Sequence, residues 1–291
     1  MKKDFFKNYN VHPENQKILL QVLEHMRLDG KSETSIERYG EVGRLFLDNQ
    51  KLIADITYDD VLNWLEEKCG NKSAAYYRNN QAILKSIFTR CYRLGHIKEV
   101  PVKPWWGPKV GYSLPKYLTD KEIAEVKMIA ETLSERDRTL VEIYFGTGGR
   151  LSEICNLDIK DVDLNKGQIK IKGKGHKERL VDINSDSAFL LKRHYENHDG
   201  ESEALFVSKY GKRLCTRRVQ LIFKMIGTKL SIPRNLTPHM ARHSYATQRV
   251  KRGDSVEEIK GPMGHSDIST TGIYAYIPNE DFKKKYHMIA G

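Results

Sequence analysis

The sequence predicts a mostly α-helical protein with one small antiparallel β-sheet, an α+β class, arranged as two domains. Three observations predict this. Residues 15–97 carry apolar side chains at helical spacing. Residues 101–116 contain four of the nine prolines, a density that does not continue a helix and therefore marks an interdomain linker. Beyond the linker, three short strand patterns at 161–164, 168–172 and 179–183 lie between helical segments.

The predicted N-terminal domain, 1–100, contains helical patterns only. The first helix ends at Gly30, and Ser32 and Thr57 precede the second and third as N-caps. The fourth covers 73–94, and its polar face carries aromatic and basic side chains: Tyr76, Tyr77, Arg78, Lys85, Arg90 and Arg93. Such a face is usually only solvated, and the functional alternative is contact with phosphates.

The predicted C-terminal domain, 117–291, begins with two helices, 119–132 and 134–145. The second helix ends at Gly146-Thr-Gly-Gly, and a short helix follows. After the three strands, the pattern is helical from Ser187 to the end of the chain. Within that region, Thr237-Pro238 is a strong helix start and Gly253 a stop.

The C-terminal tail, 279–291, has the pattern of a short amphipathic helix. Asn279 is a suitable N-cap, and Phe282, Tyr286 and Ile289 form one apolar stripe on an otherwise charged segment. A helix this short is not stable alone in water, so the stripe is expected to pack on another surface.

Composition narrows the function classes. The chain has 291 residues, enough for two domains of ordinary size. No stretch approaches the ~18 consecutive apolar residues of a membrane span, and no apolar signal segment follows the charged N-terminus, so no membrane partner is predicted. The four cysteines form no C-x-x-C pair, so neither a zinc site nor a disulfide framework is predicted, and a reducing cytoplasm fits.

The charge balance favours a polyanionic partner. Lys and Arg number 49 against 38 Asp and Glu, which gives a net charge of +11. This excess would attract nucleic acid through long-range electrostatics and counterion release. A basic solubilising surface would give the same excess, so the charge alone leaves both interpretations open.

Six polar side chains of the second domain occur in contexts that suit a reaction site: Arg150, Lys174, His239, Arg242, His265 and Tyr274. Taken singly, each has an ordinary explanation. The glycines before Arg150 would cap a helix, and Lys174 between two glycines would be a solvated hairpin tip. An isolated H-x-x-R is common by chance, and Gly146-Thr-Gly-Gly fits no nucleotide-binding motif.

Together, the order and spacing of these residues resemble the tyrosine recombinase (phage integrase) family, in particular its compact Xer-like members. The matching motifs are Thr147-Gly-Gly-Arg150-Leu-Ser-Glu153, Gly173-Lys174-Gly, Thr237-Pro-His239-Met-Ala-Arg242-His243, Gly264-His265-Ser and Tyr274. The resemblance covers roughly 116–276 by motif and the N-terminal helices by architecture. Three positions depart from the family pattern. Gly149 and Ala241 stand where larger apolar residues are usual, and Pro262 precedes Met263-Gly-His.

The resemblance implies a site-specific recombinase that cleaves and rejoins DNA through a 3′-phosphotyrosyl intermediate. Arg150 and Arg242 would clamp the phosphate with their guanidiniums, and His239 and His265 would hydrogen-bond its oxygens. Lys174 would protonate the leaving 5′-oxygen, and Tyr274 would attack the phosphorus. Tyr276, two residues on, would point roughly 200° away on a helix. No metal, ATP or other cofactor is implied.

The resemblance also implies an arrangement on DNA. A core-binding domain and a catalytic domain would form a C-shaped clamp on double-stranded DNA with inverted half-sites. Four copies would act on two DNA sites, either alone or with a paralogous recombinase or accessory protein. They would be cytoplasmic and associated with the nucleoid. The tail would pack into the neighbouring protomer, with docking on its own domain as the alternative.

Several functional alternatives remain open at this stage. Chromosome dimer resolution and mobile-element integration or excision fit equally. Two rivals are a catalytically inactive DNA-binding regulator and a type IB topoisomerase. The intact set of six residues argues against the regulator, since a protein that only binds DNA needs no nucleophile.

Overall fold

The chain forms two compact units, Met1–Tyr112 and Ser113–Gly291. The structure is a computed structural model, and it describes residues 5–103, 105–109, 116–173, 177–198, 200–230 and 235–263. Within those ranges, no helix has the length and apolar character needed to cross a membrane.

The first unit is built from four helices. They are α1 Pro13–Leu28, α2 Glu33–Leu47, α3 Tyr58–Cys69 and α4 Ala74–Arg93. The predicted caps Ser32 and Thr57 are confirmed, because each side chain accepts a hydrogen bond from the backbone N–H three residues on. The helices enclose one apolar core in which Phe46 packs edge-on against Trp64 and Phe88.

The polar face of α4 is only partly free to contact phosphates. Tyr77 is buried at 2% exposure, so its assignment to the polar face is wrong. Arg78 donates to the carbonyls of Gly107 and Pro108, and Arg90 forms an ion pair with Asp29. The exposed members of the predicted face are Tyr76, Lys85 and Arg93.

The beginning of the predicted linker packs on the first unit. Val102 is buried in the core, and the carbonyl of Lys103 accepts a hydrogen bond from Gln81 Nε2 at 2.9 Å. The Lys103 ammonium lies 4.5 Å from the ring centroid of Tyr58, which also contacts Trp106 edge-on.

The second unit has seven described helices and one sheet. The helices are α5 Asp120–Glu131, α6 Glu135–Thr147, α7 Leu151–Cys155, α8 Ser185–Glu196, α9 Thr216–Lys229, α10 Pro238–Lys251 and α11 Val256–Met263. The sheet has the order β1 Val162–Asp163, β2 Gln168–Lys172 and β3 Glu178–Asp182, and both pairs are antiparallel. The predicted mostly helical class with a small antiparallel sheet is confirmed.

The helical prediction after Ser187 is wrong between α8 and α9. Residue Ala204 bridges Asp158, and Val207 bridges Arg213, so this stretch runs partly as extended chain. The cause is tertiary pairing: Leu205 N donates to the Leu157 carbonyl at 2.9 Å, which holds the stretch beside the segment before β1. Phe206 is fully buried there.

Helix α6 lies at the centre of the second core. Leu140, Ile143 and Tyr144 are completely buried, and the Tyr144 ring meets Phe223 of α9 edge-on at 5.0 Å. Helix α10 also packs on α6. This packing brings the glycine turn at the end of α6 beside α10, where the candidate site lies.

Candidate active site

The glycine turn directs the chain from α6 into α7. Gly148 has a φ of 60°, in the left-handed region, and its N–H donates to the Tyr144 carbonyl at 3.1 Å. A Cβ on Gly148 would lie 2.3 Å from Tyr245 Cδ1 of α10. Both the backbone conformation and the close approach therefore require glycine. The turn therefore caps helix α6, as the structural explanation of these glycines predicted. It also places Arg150 as the N-cap of α7.

A buried carboxylate orients Arg150. Glu153 Oε1 accepts from Arg150 Nη1 at 2.7 Å, and Oε2 accepts from Arg150 N at 2.9 Å and Arg179 Nη2 at 2.6 Å. Burial would raise the pKa of the Glu153 carboxyl, but the hydrogen bonds from Arg179 and Arg150 outweigh it and lower the pKa to about 2. Glu153 is therefore ionised at neutral pH and ties Arg150 to β3.

Arg242 of α10 is held by backbone carbonyls from two other segments. It is only 4% exposed. Its Nη1 donates to the Gly148 carbonyl at 2.6 Å, and its Nη2 donates to the Met263 carbonyl at 2.5 Å. These bonds join the glycine turn, α10 and the end of α11, so the guanidinium plane is oriented whatever the size of Ala241.

The departure at Gly149 has a local structural reason. A Cβ there would lie 2.4 Å from Ile154 Cδ1, so Ile154 already occupies the space that a larger residue at 149 would fill.

An open cleft of 840 Å³ connects these groups. Arg150, His239 and Arg242 line it together with three side chains of α9, Thr216, Gln220 and Lys224. His239 is exposed near the start of α10, which Thr237 caps as predicted. Although the residue as a whole is exposed, partial desolvation of its ring and then the nearby Arg242 charge lower the pKa of His239 below its ordinary value, so the ring is neutral at neutral pH.

The structure thus brings together three of the six predicted site residues, Arg150, His239 and Arg242. Lys174, His265 and Tyr274 lie outside the described residues, as does the tail 279–291. Described residues close to Lys174 and His265 in the chain lie beside the cluster. A Cβ on Gly173 would lie 3.4 Å from Glu153 Oε1, and Met263 accepts the bond from Arg242.

The sequence motifs include Glu153 and His243 without giving them a role, and Arg179 is assigned no role from sequence. Glu153 stands three residues after the N-cap Arg150, the spacing at which a carboxylate accepts from the N-cap N–H, so a capping pattern could have predicted its bond to Arg150 N. Thr216, Gln220 and Lys224 recur every four residues and could have been recognised as one helix face. Arg179 offers no such local pattern.

The sequence matches a known protein family. The family model described as "Phage integrase family" matches residues 116–280 of this chain. The chain belongs to the phage integrase family of tyrosine recombinases. This assignment confirms the resemblance drawn from the motifs. This chain is therefore an enzyme that cleaves and rejoins DNA strands in site-specific recombination.

Similar proteins include Xer recombinases. Tyrosine recombinase XerC of Proteus mirabilis is 36% identical over 192 residues, which cover 64% of this chain and 62% of that protein. Tyrosine recombinase XerA of Pyrococcus horikoshii is 30% identical over 274 residues, covering 93% and 92%. One similar solved structure is that of the XerH site-specific recombinase bound to a palindromic difH substrate, a post-cleavage complex. It shares the fold, with a TM-score of 0.73 at 23% identity, and the match covers 86% of this chain and 78% of that chain.

Replacing Gly148 with alanine is expected to destabilise the tyrosine recombinase by about 2–4 kcal/mol. Roughly 1 kcal/mol comes from the left-handed φ, and about 1–3 kcal/mol from the contact with Tyr245. The measurement is the free energy of unfolding from urea titration of both variants. Gly253→Ala is the matched control, because Gly253 has a φ of 89° and nothing within 4 Å of its Cβ position. Equal losses in the two variants would show that the contact with Tyr245 is unimportant.

Proposed function

We propose that the cleft holds the scissile phosphate of DNA, with Arg150 and Arg242 on its non-bridging oxygens. The observation that carries this is the convergence of Arg150, His239 and Arg242 on one cleft. Arg150, Arg179, Arg242 and Glu153 together carry a charge of +2 (3 − 1), which favours a phosphate and the charge that grows on it in the transition state.

The remaining roles fall to Lys174, His265 and Tyr274. Lys174 is adjacent to Gly173, which lies beside the Glu153 carboxylate, and His265 is two residues from Met263, whose carbonyl binds Arg242. This closeness along the chain supports giving both residues a part in the reaction. We assign Lys174 as general acid, His265 as a phosphate ligand and Tyr274 as nucleophile.

In the proposed reaction, the Tyr274 oxygen attacks the phosphorus and gives its proton to His239. The bond from phosphorus to the 5′-oxygen breaks, and Lys174 supplies the proton for that oxygen. The product is a 3′-phosphotyrosyl DNA and a free 5′-hydroxyl. A 5′-hydroxyl from a second DNA reverses these steps and releases the tyrosine. One phosphoester bond replaces another at each stage, so no step draws on ATP hydrolysis.

We infer that the partner is double-stranded DNA with inverted half-sites, contacted by residues 1–100 as the core-binding domain and by 117–291 as the catalytic domain. The net charge of +11 and the exposed Tyr76, Lys85 and Arg93 of α4 support this. Four copies would act on two sites, alone or with a paralogous recombinase or accessory protein, in the cytoplasm with the nucleoid. The tail 279–291 would link neighbouring copies.

The test is strand exchange between two copies of the site that the purified protein protects in DNA flanking its own gene. The full-length protein is expected to exchange strands without ATP. Deleting 279–291 is expected to leave binding to one site nearly intact and to abolish exchange, because the tail's apolar stripe is lost. Relaxation of a single plasmid without exchange would instead indicate a topoisomerase. Full-rate exchange by the truncated protein would remove the tail as the link, and unfolding of that protein would place the tail on its own domain.

A further inference from the structure

A second histidine stands beside His239 and has no role in the reaction proposed above. His243 lies one turn further along α10, where residues four apart share a helix face. Its Nε2 is 2.9 Å from His239 Nε2, and the two ring centroids are 4.3 Å apart in an edge contact. The two Nε2 atoms are therefore within hydrogen-bonding distance and form a hydrogen bond.

The protons of this pair can be counted. Burial, followed by the proximity of His239 and the charge of Arg242, lowers the pKa of His243 to about 4, and the pKa of His239 is lowered as well. Both rings are therefore neutral at neutral pH, and each carries one N–H. A bond between two Nε2 atoms then requires that one ring is protonated at Nε2 and the other at Nδ1.

We propose that His243 is a positioning residue, whose Nε2 accepts a hydrogen bond from His239 Nε2–H and thereby leaves His239 Nδ1 as the unprotonated atom available to the cleft. This proposal rests on the proposed function, in which His239 takes the proton of Tyr274. That proton binds to Nδ1, and the imidazolium that forms keeps its Nε2–H bonded to His243. The opposite direction would place the proton on Nδ1 beforehand, so His239 would have no free lone pair there to accept another.

The direct test is the tautomer of His239 in the full chain labelled with ¹⁵N-histidine. The chain has ten histidines, and His239→Gln identifies the His239 signals by their disappearance in long-range ¹H–¹⁵N spectra at neutral pH. We expect His239 protonated at Nε2 and bare at Nδ1. His243→Phe keeps a ring but removes the acceptor, so a mixture of His239 tautomers is expected. His243→Gln places an amide near the same position and is expected to restore much of the single tautomer.

Covalent cleavage of DNA gives the second readout. His243→Phe is expected to slow cleavage on the order of 10-fold or more with unchanged DNA affinity, because only part of a general-base contribution of about 10²–10⁴ is lost. His243→Gln is expected to recover part of the rate. Gln248→Ala is the matched control, since Gln248 lies further along α10 and its side chain contacts Asp120 instead.

Three results would overturn the proposal. The first is a His239 ring protonated at Nδ1 in the unaltered protein, and the second is a His239 tautomer that is the same in His243→Phe. The third is an equal cleavage rate in His243→Phe and His243→Gln, which would assign a packing role to His243. Failure of the proposed function looks different. In that case His239→Gln would cleave DNA at the full rate, while the spectra would still report the tautomer.

Discussion

Replacing Lys174 with alanine is expected to slow cleavage of ordinary DNA strongly, and replacing the leaving 5′-oxygen with sulfur is expected to restore cleavage by this variant. An alkoxide is a poor leaving group and needs a proton, whereas a thiolate departs without one. Gly173, the residue before Lys174, donates its N–H to the Lys177 carbonyl and lies beside the carboxylate that orients Arg150. This closeness along the chain supports the role proposed for Lys174.

The measurement compares cleavage rates on two DNA substrates that differ only in that one atom. We expect a loss on the order of 10²-fold or more on the oxygen substrate and a nearly normal rate on the sulfur substrate. Lys177→Ala is the control, because it removes an exposed lysine from the same hairpin. A Lys174→Ala protein that stays inactive on the sulfur substrate would assign Lys174 another role, such as a contact to the DNA minor groove.

The parts of the fold that follow from local hydrogen bonds could be predicted from sequence. The caps Ser32, Thr57 and Thr119 each accept from a backbone N–H three residues on, so helix starts are encoded within one turn. Glycine at 148 likewise ends α6 through its own left-handed φ. The predicted strands at 161–164 and 179–183 differ from the observed ones by one residue at each end. The difference arises because the alternation of apolar and polar residues does not define the exact end of a strand.

The parts that depend on distant partners could not be predicted in this way. Tyr77 falls near the polar edge of α4 by periodicity, yet it is buried beneath Gly107, thirty residues further along the chain. The extended stretch with Phe206 is set by its pairing with the segment before β1. In such cases tertiary contacts override the local pattern.

The same division holds within the candidate site. The motifs identified Arg150, His239 and Arg242. These residues lie at or near the starts of two helices, where the pattern is contained within a few neighbouring residues. Glu153 contacts Arg150 from only three residues away, but other groups that orient the site come from far along the chain. The Arg242 bond to the Gly148 carbonyl spans 94 residues, and the Glu153 bond to Arg179 spans 26. Spacing along the sequence cannot reveal such partners without the fold.

Replacing Tyr274 with phenylalanine is expected to abolish the covalent step completely while leaving DNA affinity unchanged. A phenyl ring has no oxygen to attack the phosphorus, and the arginines proposed to bind the phosphate remain. The phenol of tyrosine has an ordinary pKa of ~10, so attack depends on positive charge such as that of Arg150 and Arg242. Tyr276 is the matched control: two residues on, it would point roughly 200° away on a helix.

The most direct measurement is the identity of the residue that carries the DNA. The protein is incubated with its site, the adduct that survives SDS is isolated and digested, and the peptide attached to the 3′-phosphate is sequenced by mass spectrometry. We expect the DNA on Tyr274, an adduct of the same yield in Tyr276→Phe and none in Tyr274→Phe. An adduct that persists in Tyr274→Phe and disappears in Tyr276→Phe would contradict the assignment of the nucleophile, and no adduct in the unaltered protein would contradict the proposed chemistry as a whole.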